Sequence, residues 1–377
     1  MQNTPWKIAL CGFAVLAVAM GIGRFAFTPL LPMMQDERLI SIADGGMLAS
    51  VHFLGYLMGA LFAGYTRDWP SISLYLSLLL IAFSTIAMGT TESFVVWSVA
   101  RWLAGFCSAI VLVTVSTQLV KRLAELKRPE FQNWVFAGVG GGIFIAGAMA
   151  LQFLMTGVMS NTAWIVFGVT SLILIAAVYT QIGTAVFETS KPGTKETATK
   201  ASLDWRLIVP YGATGAGYII PATYLPIMAR NAVESPMLYG LGWPIFGIAA
   251  VLSTLLAVRF QSTLSDRQIW IVSQFVMAAG LAIPAIFAGL GAVVLGGICV
   301  GGTFMVITMV GMKEAHRITG PNDPQKLIAA LTAAFATGQI IGPVVAGWAY
   351  EATGDFSYPL LFGSVLLIGS LVPILRN

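Results

Sequence analysis

Apolar runs of roughly bilayer-spanning length, parted by short polar connections, recur along the whole 377-residue chain. A helix needs about 20 apolar residues to cross the hydrocarbon core of a membrane. The runs predict spans near residues 8–31, 45–65, 72–90, 94–118, 131–157, 161–183, 206–229, 237–258, 269–289, 291–312, 326–349 and 358–375. The first run resembles a secretory signal, with Lys7 ahead of it and a cleavage-like Ala17-Val18-Ala19. Its continuation to Leu31 instead predicts a retained helix. The one long polar connection, 187–204, is rich in Lys, Thr, Ser and Gly and predicts a flexible linker. It divides the chain into an N-terminal six-helix bundle, 1–186, and a C-terminal one, 205–377.

Composition changes this picture little. Hydrophobic residues make up 57% and charged residues 10%, where a soluble domain carries about a quarter charged. An all-α membrane protein with the lipid bilayer as its main partner follows. The net charge of +4 would suit an acidic partner such as nucleic acid, but the Lys and Arg are scattered over short loops, which excludes a basic face. They report topology instead. Of the twenty Lys and Arg, only Arg38 and Arg230 fall in the predicted outer connections and only Arg24 and Arg101 lie well inside spans, Arg206 and Lys326 standing at the cytoplasmic ends of theirs. The remaining sixteen share the side of both termini, so the positive-inside rule predicts cytoplasmic termini in a cell inner membrane. Cys11, Cys107 and Cys299 lie inside apolar runs and read as packing residues, neither a disulfide framework nor a metal site.

An internal repeat supports the division. Gly21-Ile22-Gly23 through Leu31-Pro32-Met33-Met34 realigns on Gly215-Ala216-Gly217 through Leu225-Pro226-Ile227-Met228 at a constant offset of 194, which pairs helix 1 with helix 7.

Arg24 and Arg101 are the chemical anomaly. No acid accompanies them within the predicted spans, and an arginine at mid-membrane depth costs roughly 2.5–3.5 kcal/mol on insertion scales. At 1.5 Å per residue each sits about 10 Å below the outer end of its helix, with His52 at a similar depth. A bound anion would compensate them, since a guanidinium fork suits bidentate recognition of carboxylate, sulfonate or phosphate. The bland reading has each fork capping main-chain carbonyls freed by nearby Gly or Pro, or snorkelling to the interface. His52 is a proton-coupling candidate, or a neutral hydrogen-bonding residue. Tyr218, at the repeat position of Arg24, leads the candidates from the second half, followed by Gln339, Trp243, Tyr224 and Thr303. For the aromatic ones, interfacial anchoring is the competing role.

Other signals exclude more than they propose. The glycine runs Gly138–Gly142 and Gly296–Gly302 lie inside apolar spans without a Gly-Lys-Ser ending, so they make no nucleotide cradle. Gly55xxxGly59, Gly297xxxGly301 and Gly338xxxGly342 suit close helix packing. No nucleophile, base and orienting acid fall together and no metal-ligand spacing appears, so neither an enzyme nor a cofactor is expected.

Two six-helix halves, a basic central linker, Arg101-x-x-x-Gly105 in helix 4 and Gly338-Gln339-Ile340-Ile341-Gly342-Pro343 in helix 11 resemble the major facilitator superfamily. The stretch from Gly21 to Met34 resembles the first helix of its YbfB/YjiJ-type branch. The resemblance implies alternating access, with two halves rocking around a central site lined mainly by helices 1, 4, 7 and 10. Gly64-Tyr65-Thr66-Arg67-Asp68-Trp69 departs from the superfamily's longer charged loop between helices 2 and 3, and helix 5 lacks the Gly-Pro pair of many drug/proton antiporters. The expectation is a monomeric secondary transporter of a small organic anion, with a proton or counter-anion balancing charge. The alternatives are efflux of neutral or amphipathic compounds, or a non-transporting membrane sensor.

Overall fold

A computed structural model describes residues 4–66, 69–184, 186, 203–261, 263–319 and 325–375. The described residues form helices and no strand. Twelve long helices follow the predicted runs: α1 Pro5–Asp36, α2 Ile42–Phe62, α3 Pro70–Thr90, α4 Phe94–Glu125, α5 Gln132–Thr156, α6 Ser160–Ile182, α7 Trp205–Ala232, α8 Pro236–Ala257, α9 Asp266–Ile286, α10 Leu290–Ala315, α11 Leu327–Thr353 and α12 Ser357–Leu375. All but α7 are long and apolar enough by composition to cross a membrane. At 28 residues α7 has the length, but its three prolines, its tyrosines and its terminal Arg230 lower its hydropathy. Ile72, Val95, Phe362 and Val365 stand 67%, 70%, 67% and 69% exposed, apolar surface suited to lipid. The predicted linker, 187–204, lies almost wholly outside the described residues.

The helices meet where glycine lets main chains approach. A Cβ on Gly55 or Gly59 would stand 2.1 Å from the carbonyl oxygen of Trp102 or Phe106, so α2 and α4 pack backbone to backbone. The expected packing role of the GxxxG pairs is what the structure shows here. The first six helices meet the last six through α2 with α11, α5 with α8, and α1 with α7.

One expectation needs correction. α10 runs past its predicted end at residue 312, so Glu314 is 2% exposed and a carboxylate does occupy a helix end. It is paired bidentately, Arg317 Nε and Nη2 donating to its two oxygens at 2.7 and 2.5 Å. That carboxylate holds the exposed Arg317 above the ordinary arginine range.

Candidate functional site

The site begins with a fault in α1. Residues Ala17–Ile22 are wound as a π-helix, turns follow, and regular helix resumes at Phe27. Pro29 has no N–H, so Phe25 O loses its usual partner; the Thr28 amide turns to it at 3.3 Å and leaves Arg24 O free. Arg101 of α4 takes up the result. Its Nη1 donates to Gly23 O and its Nη2 to Arg24 O, both at 3.2 Å, while its guanidinium carbon lies 4.7 Å from the Phe27 ring centroid. Both terminal nitrogens are thus spent on main-chain oxygen, the capping role weighed for it from the sequence, and only Nε is left unpartnered.

Arg24 is held differently. It is 5% exposed, and its Nη2 donates to Tyr218 Oη, to which Gln339 Nε2 also donates. The Phe25, Phe53 and Tyr56 ring centroids stand 4.9, 4.9 and 5.0 Å from its guanidinium carbon, a cation–π box, and the Tyr56 hydroxyl approaches the same group. Every contact is neutral. Arg24 Nε and Gln339 Oε1 are buried with no hydrogen-bond partner among the described residues.

Arg24 and Tyr218 are separated by the repeat offset of 194, and two further contacts share it. Thr28 Oγ1 donates to Ala222 O at 2.7 Å, the carbonyl that Pro226 deprives of its helical partner. Arg230 Nη1 donates to Asp36 Oδ1 at 2.6 Å, with Pro32 O and Gln35 Oε1 also bonded to that guanidinium. Equivalent positions of a two-fold repeat touch each other only near the axis. The seam between α1 and α7 therefore lies along it, and Arg24 and Tyr218 sit at its buried end.

Aromatic rings wall the site. Tyr218 is sandwiched between Phe304, centroids 5.2 Å apart and 6° from parallel, and Phe335, 5.5 Å and 24°. Phe304 continues to Phe246, which stacks on Trp243, and Phe25 leans on both Trp243 and Phe304. Trp243 thus belongs to the wall, its indole N–H buried and without a partner among the described residues.

Of the expected residues, the structure joins Arg24, Tyr218 and Gln339 directly, with Arg101 behind them through the Arg24 main chain. His52 is fully buried, its ring nitrogens without a hydrogen-bond partner among the described residues, and the two guanidinium groups and the Arg101 main chain lie near it. Tyr224 stands apart. Its hydroxyl donates to Pro343 O at 2.7 Å and lies 3.4 Å from Ile42 O, tying α7 to α11 and α2. Thr303 bonds back to Cys299 O and Val300 O of its own helix. Sequence reasoning missed Tyr56, Phe53, Phe304 and Phe335. Tyr56 follows His52 by four residues, one turn along the same face, which was a usable signal.

A cavity of about 250 Å³ lies away from this seam, lined by Glu37, Glu92, Trp97, Ser160, Trp164 and three methionines among others. The Glu37 carboxylate there accepts from the amide and hydroxyl of Ser160 at the start of α6. That places it as a brace between α1 and α6.

Comparison with known proteins gives these observations a family. The chain is 24% identical to the uncharacterised MFS-type transporter YcaD of Salmonella arizonae and, equally, of Salmonella typhimurium strain LT2, over 99% of this chain and 96% of each relative. The crystal structure of the nucleoside transporter NupG superposes with a TM-score of 0.72 at 16% identity, covering 100% of this chain and 99% of that one. Its D323A mutant gives the same TM-score at 15% identity, covering 98% and 99%. At these identities the likeness is one of fold. Residues 16–374 match the family described as uncharacterised MFS-type transporter YbfB, and the chain, a multi-pass membrane protein, belongs to that family of the major facilitator superfamily.

Proposed function

We propose that the protein is a secondary transporter of a small organic anion, and that Arg24 is the group that binds it. The observation that carries this reading is the company Arg24 keeps: a buried guanidinium with phenols and ring faces around it, an unpartnered Nε, and no carboxylate or carbonyl bonded to it among the described residues. A cation so placed gains more from an arriving anion than one already bonded to main-chain oxygen. Arg101 serves as its scaffold, fixing the main chain from which Arg24 projects. Tyr218 and Gln339 supply the opposing half of the site.

The halves, 1–186 and 205–377 joined by the linker at 187–204, would rock about the α1–α7 seam in alternating access. The charge bias supports an inner-membrane protein with cytoplasmic termini. Moving one negative charge inward against 100 mV costs about 2.3 kcal/mol, so net uptake needs an accompanying proton or a counter-anion.

A second reading has its own support. The flat stack around Tyr218 and the fold shared with a nucleoside transporter suit a neutral planar solute, for which Arg24 would be framework. Thermal-shift titration of purified wild type and Arg24→Gln against carboxylates, sulfonates and phosphates separates the two, because a ligand that binds only the folded state raises its stability. An anion-induced rise in the wild type that vanishes in a folded Arg24→Gln supports the first reading. A neutral solute stabilising both proteins alike, with no anion effective, supports the second.

A further inference from the structure

Taking the anion reading as given, we infer that the solute is a planar aromatic monocarboxylate, whose carboxylate replaces the Tyr218 hydroxyl on Arg24. Three observations lead there. The first is the donor count: Arg101 has both terminal nitrogens committed to Gly23 O and Arg24 O, so of this pair only the Arg24 guanidinium has a fork to turn to an arriving acid, which suits a single carboxylate. The second is the wall. Phe25, Phe53 and Tyr56 surround the guanidinium, and Phe304 and Phe335 hold the Tyr218 ring between near-parallel faces, a slot that suits a flat ring rather than a chain when that side chain yields its place.

The third is Tyr218 itself. Its ring is held between two aromatic faces while its oxygen is gripped by Arg24 and Gln339. That arrangement is an aryl group with an oxygen acceptor in the place where the solute's would go. A carboxylate offers the guanidinium two charged acceptors where the phenol offers one neutral oxygen, so it displaces the phenol from Arg24. Because the phenol belongs to α7 and the arginine to α1, the exchange of partners also releases a bond between the two halves.

The experiment uses the purified full-length protein and four probes: benzoate, cyclohexanecarboxylate, hexanoate and the neutral benzamide, titrated by thermal shift. Benzoate is expected to bind about tenfold tighter than either non-aromatic acid, with benzamide giving no shift. Three carboxylates of equal affinity overturn the aromatic inference and leave the anion reading standing. Benzamide matching benzoate overturns the anion reading and this inference with it, whereas no carboxylate binding overturns this inference and leaves the anion reading to sulfonates and phosphates. Tyr218→Phe removes the internal competitor and is expected to tighten benzoate several-fold; a tenfold loss overturns the replacement. Phe335→Leu is expected to erase benzoate's advantage over cyclohexanecarboxylate, and an unchanged ratio overturns the stacking.

Discussion

Arg24 and Arg101 are the same residue type at the same predicted depth, yet the structure gives them different employment. Arg101 faces a stretch of α1 whose helical hydrogen bonds have slipped, and it replaces the missing donors. Arg24 faces α7, where the equivalent position carries a phenol, and it finds only a neutral oxygen and the faces of rings. A buried charge is therefore not in itself a sign of a binding site. What matters is whether the surrounding main chain has acceptors to spare.

That contrast can be broken most forcefully at Arg101. Arg101→Leu strips two buried carbonyls of their donors and should lower stability by about 2–4 kcal/mol, read as a fall in melting temperature and in folded yield. Arg24→Gln should leave unliganded stability within about 1 kcal/mol of wild type while abolishing anion-induced stabilisation in the same assay. If the two variants behaved alike, the distinction between scaffold and site would be lost. Thr28→Val, which orphans Ala222 O across the seam, should cost about 1 kcal/mol in thermal unfolding, in line with polar contacts within membranes. The smallest change is expected from Asp36→Asn. That carboxylate is 56% exposed, so its pair with Arg230 should contribute under about 1 kcal/mol and fade as salt is raised from low to molar concentration.

Much of this was legible before any coordinates. The apolar runs marked all twelve helices because hydrophobic length is a property of composition, and the offset of 194 named Tyr218 as the counterpart of Arg24. The fault at Ala17–Ile22 was hidden, since every residue there is apolar or glycine and nothing in that pattern separates a π-turn from a regular one. The fate of Arg101 was hidden with it, because a carbonyl becomes available only once the helix has slipped. Phe304 and Phe335 escaped notice for another reason: among 22 phenylalanines, only tertiary packing says which two bracket a tyrosine. Glu314 escaped because two extra residues of helix decide whether a carboxylate is inside or out.

The three contacts at one offset constrain how such a seam can arise. Two identical halves meeting on their axis would set guanidinium against guanidinium at one level and carboxylate against carboxylate at another, so that each level would repel where it now attracts. Once the two copies are free to differ, each drifts on its own, arginine here and tyrosine there, aspartate here and arginine there. Complementarity along this line is thus a product of divergence between the copies, and a perfectly symmetrical version of the protein would be weakest at its own middle.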